Sequence, residues 1–380
     1  MSNFVDLPPE LLSRMRLGRK GLNEVASLSR ACHQMVMLTR TRLHLCPHRL
    51  NDAESIARLT RCFESGLRLE EVTIEDSDTL HQLTHILSSR PFGENSVKTM
   101  TCYLTKQFWN GDVYSLAAIT YPVWATLQCV YLVGDLHKHQ VDLEHLVALP
   151  TLRKLSLDKC SRKGEFVDLG PLARIPSLRC LRLASIYPKN VISTLSSLMS
   201  LTNLTSLTLF GEYDLNNINL NMTSLTHLTR LTRLDVMDFN LRHNGMRDMS
   251  ALTRLQELKL TRVVVDAELL ASLTCLQNLV LHHVCLSTPP ETVGDTRTPR
   301  VLQPVSHLGF LERLRHLQHL TLSQLMNVRD LSPLISLGSS LRHLELDWMF
   351  NLTNLEPLTA LTNLTRLHIW PDSRYYGCMT

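Results

Sequence analysis

The sequence predicts an α/β solenoid: one short parallel strand per repeat, stacked into a curved sheet, with helical or turn-like returns and a small helical segment at the N-terminus. Three observations predict it. The stretch LTNLTSLTL at 201–209 recurs as near-copies such as LTRLTRLDV at 228–236, LTRLQELKL at 252–260 and LTNLTRLHI at 361–369. The copies are spaced as repeat proteins are. Residues 1–40 lack the repeat and read as two short amphipathic helices.

The first element begins at VDLPPELLSRMRLG. Asp6 and Pro8–Pro9 make a favourable helix start, Leu11, Leu12 and Met15 share an apolar face, and Gly18 stops the helix. LNEVASLSRACHQMV follows with Leu22, Val25, Leu28, Cys32, Met35 and Val36 at helical spacing. Two helices this short bury little surface by themselves, so they need the end of the solenoid or a partner protein. The segment resembles an F-box, whose text is roughly L-P-x-E-L-L followed by L-x-x-L-x-x-V-S-R-x-W. Leu7, Pro8, Glu10, Leu11 and Leu12 match the first half, and Leu22, Val25, Leu28, Ser29 and Arg30 match the second in register. Cys32 stands where the family usually has Trp, and the link from Met15 to Leu22 is shorter than typical. The resemblance implies that Leu7, Pro8, Leu11, Leu12, Leu22, Val25 and Leu28 dock a Skp-type adaptor and, through it, a cullin. The residues also fit a second role: a helical cap over the first rung, of the kind solenoids need for solubility. The basic cluster Arg14, Arg16, Arg19 and Lys20 reads as a solvated face.

The remainder, residues 41–380, reads as a single repeat array of about twelve units. The template L-x-x-L-x-L starts at Leu127, Leu152, Leu178, Leu204, Leu231, Leu255, Leu276, Leu317, Leu341 and Leu364, with looser matches at Leu69 and Val97. Neighbouring starts lie 21–30 residues apart, except for the 41 between Leu276 and Leu317. Alternate side chains of a strand face opposite ways. Leu207 and Leu209 therefore point to one side, and Ser206, Thr208 and Phe210 to the other. One strand cannot bury its leucines alone, but rungs stacked about 4.8 Å apart form a continuous column. Each buried leucine then contributes about 1.5–3 kcal/mol. In this pattern the chain resembles the leucine-rich-repeat family over roughly residues 43–380, which implies a horseshoe with a parallel, concave β-sheet. The position that family usually gives to Asn is held here by Cys160, Ile186, Phe239, Val263, Val284, Leu325 and Met349, so apolar packing replaces the Asn ladder.

The returns change along the chain. NDAESIARLTRCFESG at 51–66 is helical text with Asn51 as N-cap, Glu54 three residues on and Gly66 at the stop. HQLTH at 81–85 has the His spacing of a zinc site but lacks the Glu of a zinc protease, and reads as a helix surface. DLSPLISL and LEPLTAL are long enough only for a turn or 3₁₀ segment. DLSPLISL and DLGPLARIPSLRCLRL also resemble the repeat proteins that regulate phosphatases. The long step contains STPPETVGDTRTPRVLQPVS at 287–306, whose Pro, Thr and Gly content predicts an excursion loop.

The predicted concave column carries the candidate binding residues: Tyr131, Arg182, Phe210, Arg233, Asp235, Lys259, His319, His343, Glu345, His368 and Trp370. No sign of charge dominates it, which suits a protein or peptide ligand and not a phosphate backbone. His319, His343 and His368 fall on neighbouring rungs beside Glu345 and Asp347. Their residue types allow a transition metal, a pH-sensitive contact or an ordinary polar surface.

Composition narrows the function. An apolar fraction of 44% and a charged fraction of 19% support a real core, and a net charge of +4 is small for a nucleic-acid binder. No apolar run reaches membrane length, no secretory signal is expected, and the ten cysteines form no C-x-x-C pair. The expected setting is cytoplasmic and/or nuclear, with reduced thiols and unmodified N-x-T sequons at Asn203, Asn221, Asn351 and Asn363. No phosphate-loop, dinucleotide or nucleophile-elbow motif occurs, so no catalytic residue, metal or cofactor is assigned. The F-box resemblance implies a non-enzymatic substrate-recognition subunit of an SCF-type cullin–RING ubiquitin ligase, with the repeats holding an unknown protein substrate. A scaffold or regulatory subunit with a plain helical cap is the alternative.

Overall fold

The computed structural model describes residues 42–45, 53–64, 69–75, 77–89, 97–104, 113–114, 116–134, 140–159, 168–186, 198–211, 222–239, 251–287, 303–305, 307–352 and 354–370. The F-box-like residues 1–40 lie outside them. The chain forms two compact units, one of residues 1–163 and 171–178, the other of residues 164–170 and 179–380.

In the first unit the strands Arg42–Leu45, Glu71–Ile74, Thr99–Leu104, Cys129–Gly134 and Lys154–Asp158 pair in that order, all parallel. Parallel neighbours need a crossover between them, and the early crossovers are helices at Ala53–Glu64 and Ser77–Ser88. The first of these is the helix expected from NDAESIARLTRCFESG. The second buries Leu80, Leu83, Ile86 and Leu87 on one side and leaves His81 and His85 exposed on the other. Trp124 is fully buried beneath it, and its indole N–H donates to Thr84 Oγ1 at 3.0 Å. Thr84 in turn donates to Leu80 O at 2.7 Å, so the Trp124 indole and the Thr84 hydroxyl are both paired, whereas Gln82 Oε1 on the same helix is buried without a partner among the described residues.

In the second unit eight strands pair in parallel from Cys180–Ile186 through Ser206–Gly211, Arg233–Met237, Glu257–Thr261, Asn278–His282, His319–Ser323 and His343–Asp347 to Arg366–Trp370. Their register aligns Leu181, Leu207, Leu234, Leu258, Leu279, Leu320, Leu344 and Leu367 in one column. Every member up to Leu344 is buried, whereas Leu367 is 44% exposed. Several returns are short 3₁₀ segments, as at Met222–His227, Gly309–Arg313, Ser332–Leu337 and Glu356–Ala360, and one carries the α-helix Ala267–Ser272. A 3₁₀ turn has three residues, so leucines spaced by three stack on one side. Leu308, Leu311, Leu314 and Leu317 do so: the amides of the last three each bond to the carbonyl of the leucine three residues before, and all four are buried.

Two features explain the recurrent text. The Thr before a strand ties its rung to the previous one: Thr205, Thr232 and Thr365 donate their hydroxyls to Arg179 O, Thr205 O and Arg342 O. The residue after a strand is left-handed, with φ of 62° at Asp238, 51° at Arg262 and His283, and 56° at Gln324. That turn brings the next residue inward, and Phe239, Val263, Val284 and Leu325 are buried there. These are four of the seven positions where apolar packing was expected to replace Asn; Met349, another of them, is only half-buried.

The 287–306 stretch differs from the expected excursion loop at its base. Cys285–Ser287 pairs antiparallel with Gln303–Pro304 and parallel with Val264–Asp266, so both ends of the insertion are fixed in a small three-stranded sheet.

Candidate functional site

The alternation that buries the leucines turns the intervening side chains to the opposite sheet face. In the first unit Tyr131 lies there, half-buried, with the Lys154 ammonium 5.4 Å from its ring centre. That is within the range of a cation–π contact.

In the second unit the register brings Arg182, Thr208, Asp235 and Lys259 into one row across four strands. The Arg182 guanidinium lies 4.3 Å over the Phe210 ring. Arg233 grips Glu257 with two nitrogens, Nε at 2.6 Å from Oε2 and Nη2 at 2.8 Å from Oε1. This bond holds the arginine's proton more tightly than usual. Asp235 sits between these pairs. Its Oδ1 is buried with no hydrogen-bond partner among the described residues. Burial therefore pushes the Asp235 carboxyl above its ordinary range, and Lys259 and Arg182 only partly oppose this.

The late rungs bring the expected histidines together. His319 and His343 are register partners with ring centres 4.3 Å apart and Nδ1 atoms 2.6 Å apart. One Nδ1 must donate and the other accept, so the pair shares one proton along this bond. Partial burial, followed by His319 and nearby Arg366, lowers the basicity of His343. Thr321 donates to Glu345 at 3.1 Å, and these side chains with Asn278, Arg366 and His368 line a shallow concavity. Among the described residues no group of three or more His, Cys, Asp or Glu is arranged to hold a metal ion. Trp370 lies at the end of the last strand, 62% exposed.

One chain of polar contacts was not foreseen. His282 Nδ1 lies 2.9 Å from Ser323 Oγ, and Ser323 donates to Asp347 Oδ2 at 3.0 Å. The serine proton is committed to the carboxylate, so His282 carries its proton on Nδ1. The signal for Ser323 existed, since it occupies the outward position two residues after Thr321 on its rung. Arg262 pairs with both oxygens of Asp238, its Nη2 at 2.7 Å from Oδ2; both belong to left-handed turns that the strand template skips. The expected adaptor-docking residues, Leu7 to Leu28, lie outside the described residues.

No family model matches the chain, and no curated protein matches it. Solved structures do. An internalin of Listeria monocytogenes matches 92% of this chain over 93% of its own at 17% identity, with a TM-score of 0.49. A TLR13–ssRNA13 complex matches 91% of this chain at 17% identity and a TM-score of 0.53, and this chain spans 45% of that one. An LRR protein of Leptospira interrogans matches 90% of this chain over 74% of its own at 15% identity, with a TM-score of 0.47. At such identities the likeness shows the fold alone, and of these three the TLR13 match has the score to carry it. Together with the stacked register of leucines, it gives the fold class: a parallel-sheet solenoid of the leucine-rich-repeat type.

Proposed function

We propose that the chain is a non-enzymatic recognition subunit whose outward sheet face grips a protein partner. The observation that carries this reading is the division of labour along each strand. Leucines are committed to the core, while Arg182, Phe210, Arg233, Asp235, Lys259, His319, His343, Glu345, His368 and Trp370 stand on the opposite face. A face mixing aromatics, arginines and acids suits a protein surface. Its alternating charge does not suit a phosphate backbone.

The subunit serves an SCF-type cullin–RING ubiquitin ligase. The support is the F-box-like text through Leu7, Pro8, Leu11, Leu12, Leu22, Val25 and Leu28, set ahead of the repeats. Capture of a purified Skp-type adaptor by the full chain, compared with Leu11→Asp/Leu12→Asp, tests this role. Retention by wild type and loss in the variant is expected; no retention by wild type overturns it. The 3₁₀ returns at Gly170–Arg174 and Ser332–Leu337 support the rival scaffold reading, since the resemblance to phosphatase-regulating proteins rests on DLGPLARIPSLRCLRL and DLSPLISL. On that reading residues 1–40 are a cap and deleting them destabilises or aggregates the repeats, whereas deleting an F-box leaves a folded array that no longer captures the adaptor.

A further inference from the structure

The last rung departs from those before it. Leu344 and Leu346 are at most 1% exposed on the His343–Asp347 strand, yet their register partners Leu367 and Ile369 are 44% and 43% exposed. All five residues of Arg366–Trp370 are exposed. Among the described residues the strand also ends the sheet order, paired on one side with His343–Asp347. The Arg366 amide bonds back to Arg342 O at 3.0 Å. Hydrogen-bonding direction alternates along a strand, so Arg366, His368 and Trp370 face the neighbouring rung, and the N–H and C=O groups of Leu367 and Ile369 face the open edge. An open apolar rung with an unpaired backbone row is a template for another strand.

The strand is complementary to itself. Run antiparallel to a second copy about His368, Leu367 falls opposite Ile369 and Arg366 opposite Trp370. Leu367 and Ile369 then form the hydrogen-bonded pairs, exchanging both N–H···O bonds on each side of a non-bonded central His368 pair, which is the alternation an antiparallel ladder requires. Directly opposite residues share a sheet face, so both leucine columns meet on one side. Shifting the register by one residue would set a core face against an outward face. On the outward side the guanidinium of Arg366 meets an indole and not another cation.

We propose that the Arg366–Trp370 edge is the docking surface for a second copy of this chain, joined by two-fold antiparallel pairing about His368. Sedimentation velocity of the full chain across the micromolar range tests it. The expected result is a concentration-dependent dimer of twice the 43.3 kDa chain mass. Leu367→Pro/Ile369→Pro removes the two edge donors and the apolar side chains without touching the amides that face the previous rung, and proline is tolerated at such an edge. This variant should stay monomeric where wild type is dimeric, with an unchanged far-ultraviolet spectrum. Arg254→Ala, exposed and remote from the edge, should dimerise as wild type does. A wild-type chain that remains monomeric throughout overturns the proposal. If it remains monomeric and deletion of residues 371–380 makes it self-associate, the edge belongs to those residues. A dimer that survives the double proline variant, or growth into an open series beyond the dimer, overturns it equally.

Discussion

Asp235 is the residue whose physics is most out of balance. A carboxylate oxygen buried without a partner keeps its cost even with Lys259 and Arg182 nearby. Its native pKa is raised, so the native state holds a proton that the unfolded chain has already released. The cost is fully present above the native value, fades as pH falls through that value, and is gone below the unfolded value of about 3.9. Asp235→Asn should therefore raise the urea midpoint at pH 7, with the gain vanishing in strong acid. His343 has the opposite sign. Its native basicity is lowered, so the unfolded chain takes up its proton first, and stability falls as pH drops from about 6.5 through the native value. His343→Phe should flatten the fall in Tm between neutral and mildly acidic pH. The relay gives a third test: Ser323→Ala leaves Asp347 and His282 without their shared hydroxyl and should cost about 1–3 kcal/mol in denaturant unfolding. Period-two alternation made Asp235 and His343 legible as outward residues, but not Asp235's orphaned oxygen, since that depends on how closely Arg182 and Lys259 approach.

The rung was the most legible element. Leu258 and Leu260 alternate with Lys259 in the sequence, and the strand buries the two leucines and exposes the lysine. Leu258→Ala should cost about 2–5 kcal/mol, and Lys259→Ala within about 0.5 kcal/mol of nothing. The returns were legible where spacing was strict, as in DLSPLISL, whose leucines fit three residues per turn. Their contacts with the next repeat were not. A Cβ on Gly338 would lie 2.5 Å from Ala360 O, because successive returns touch backbone to backbone there. Gly338→Ala should therefore destabilise the fold by about 1–3 kcal/mol, read by thermal melting. The short sheet of Val264–Asp266, Cys285–Ser287 and Gln303–Pro304 escaped the template because its pairing joins residues across an insertion that carries no repeat.

Across the whole molecule, repetition lets one face carry stability while the other remains available for recognition. The inward columns stabilise by burying apolar surface at every rung, and exposed outward pairs such as Arg233–Glu257 add about 0–1 kcal/mol. Stability and binding should then respond to different substitutions. The most direct measurement is affinity purification with the full chain and with Arg182→Ala/Phe210→Ala/Arg233→Ala/Glu257→Ala, which removes both members of two outward pairs. The predicted result is a variant with nearly the wild-type Tm that still recovers a cullin but loses a protein the wild type captures. Recovery of the same proteins by both chains, or no cullin with either, would contradict the account.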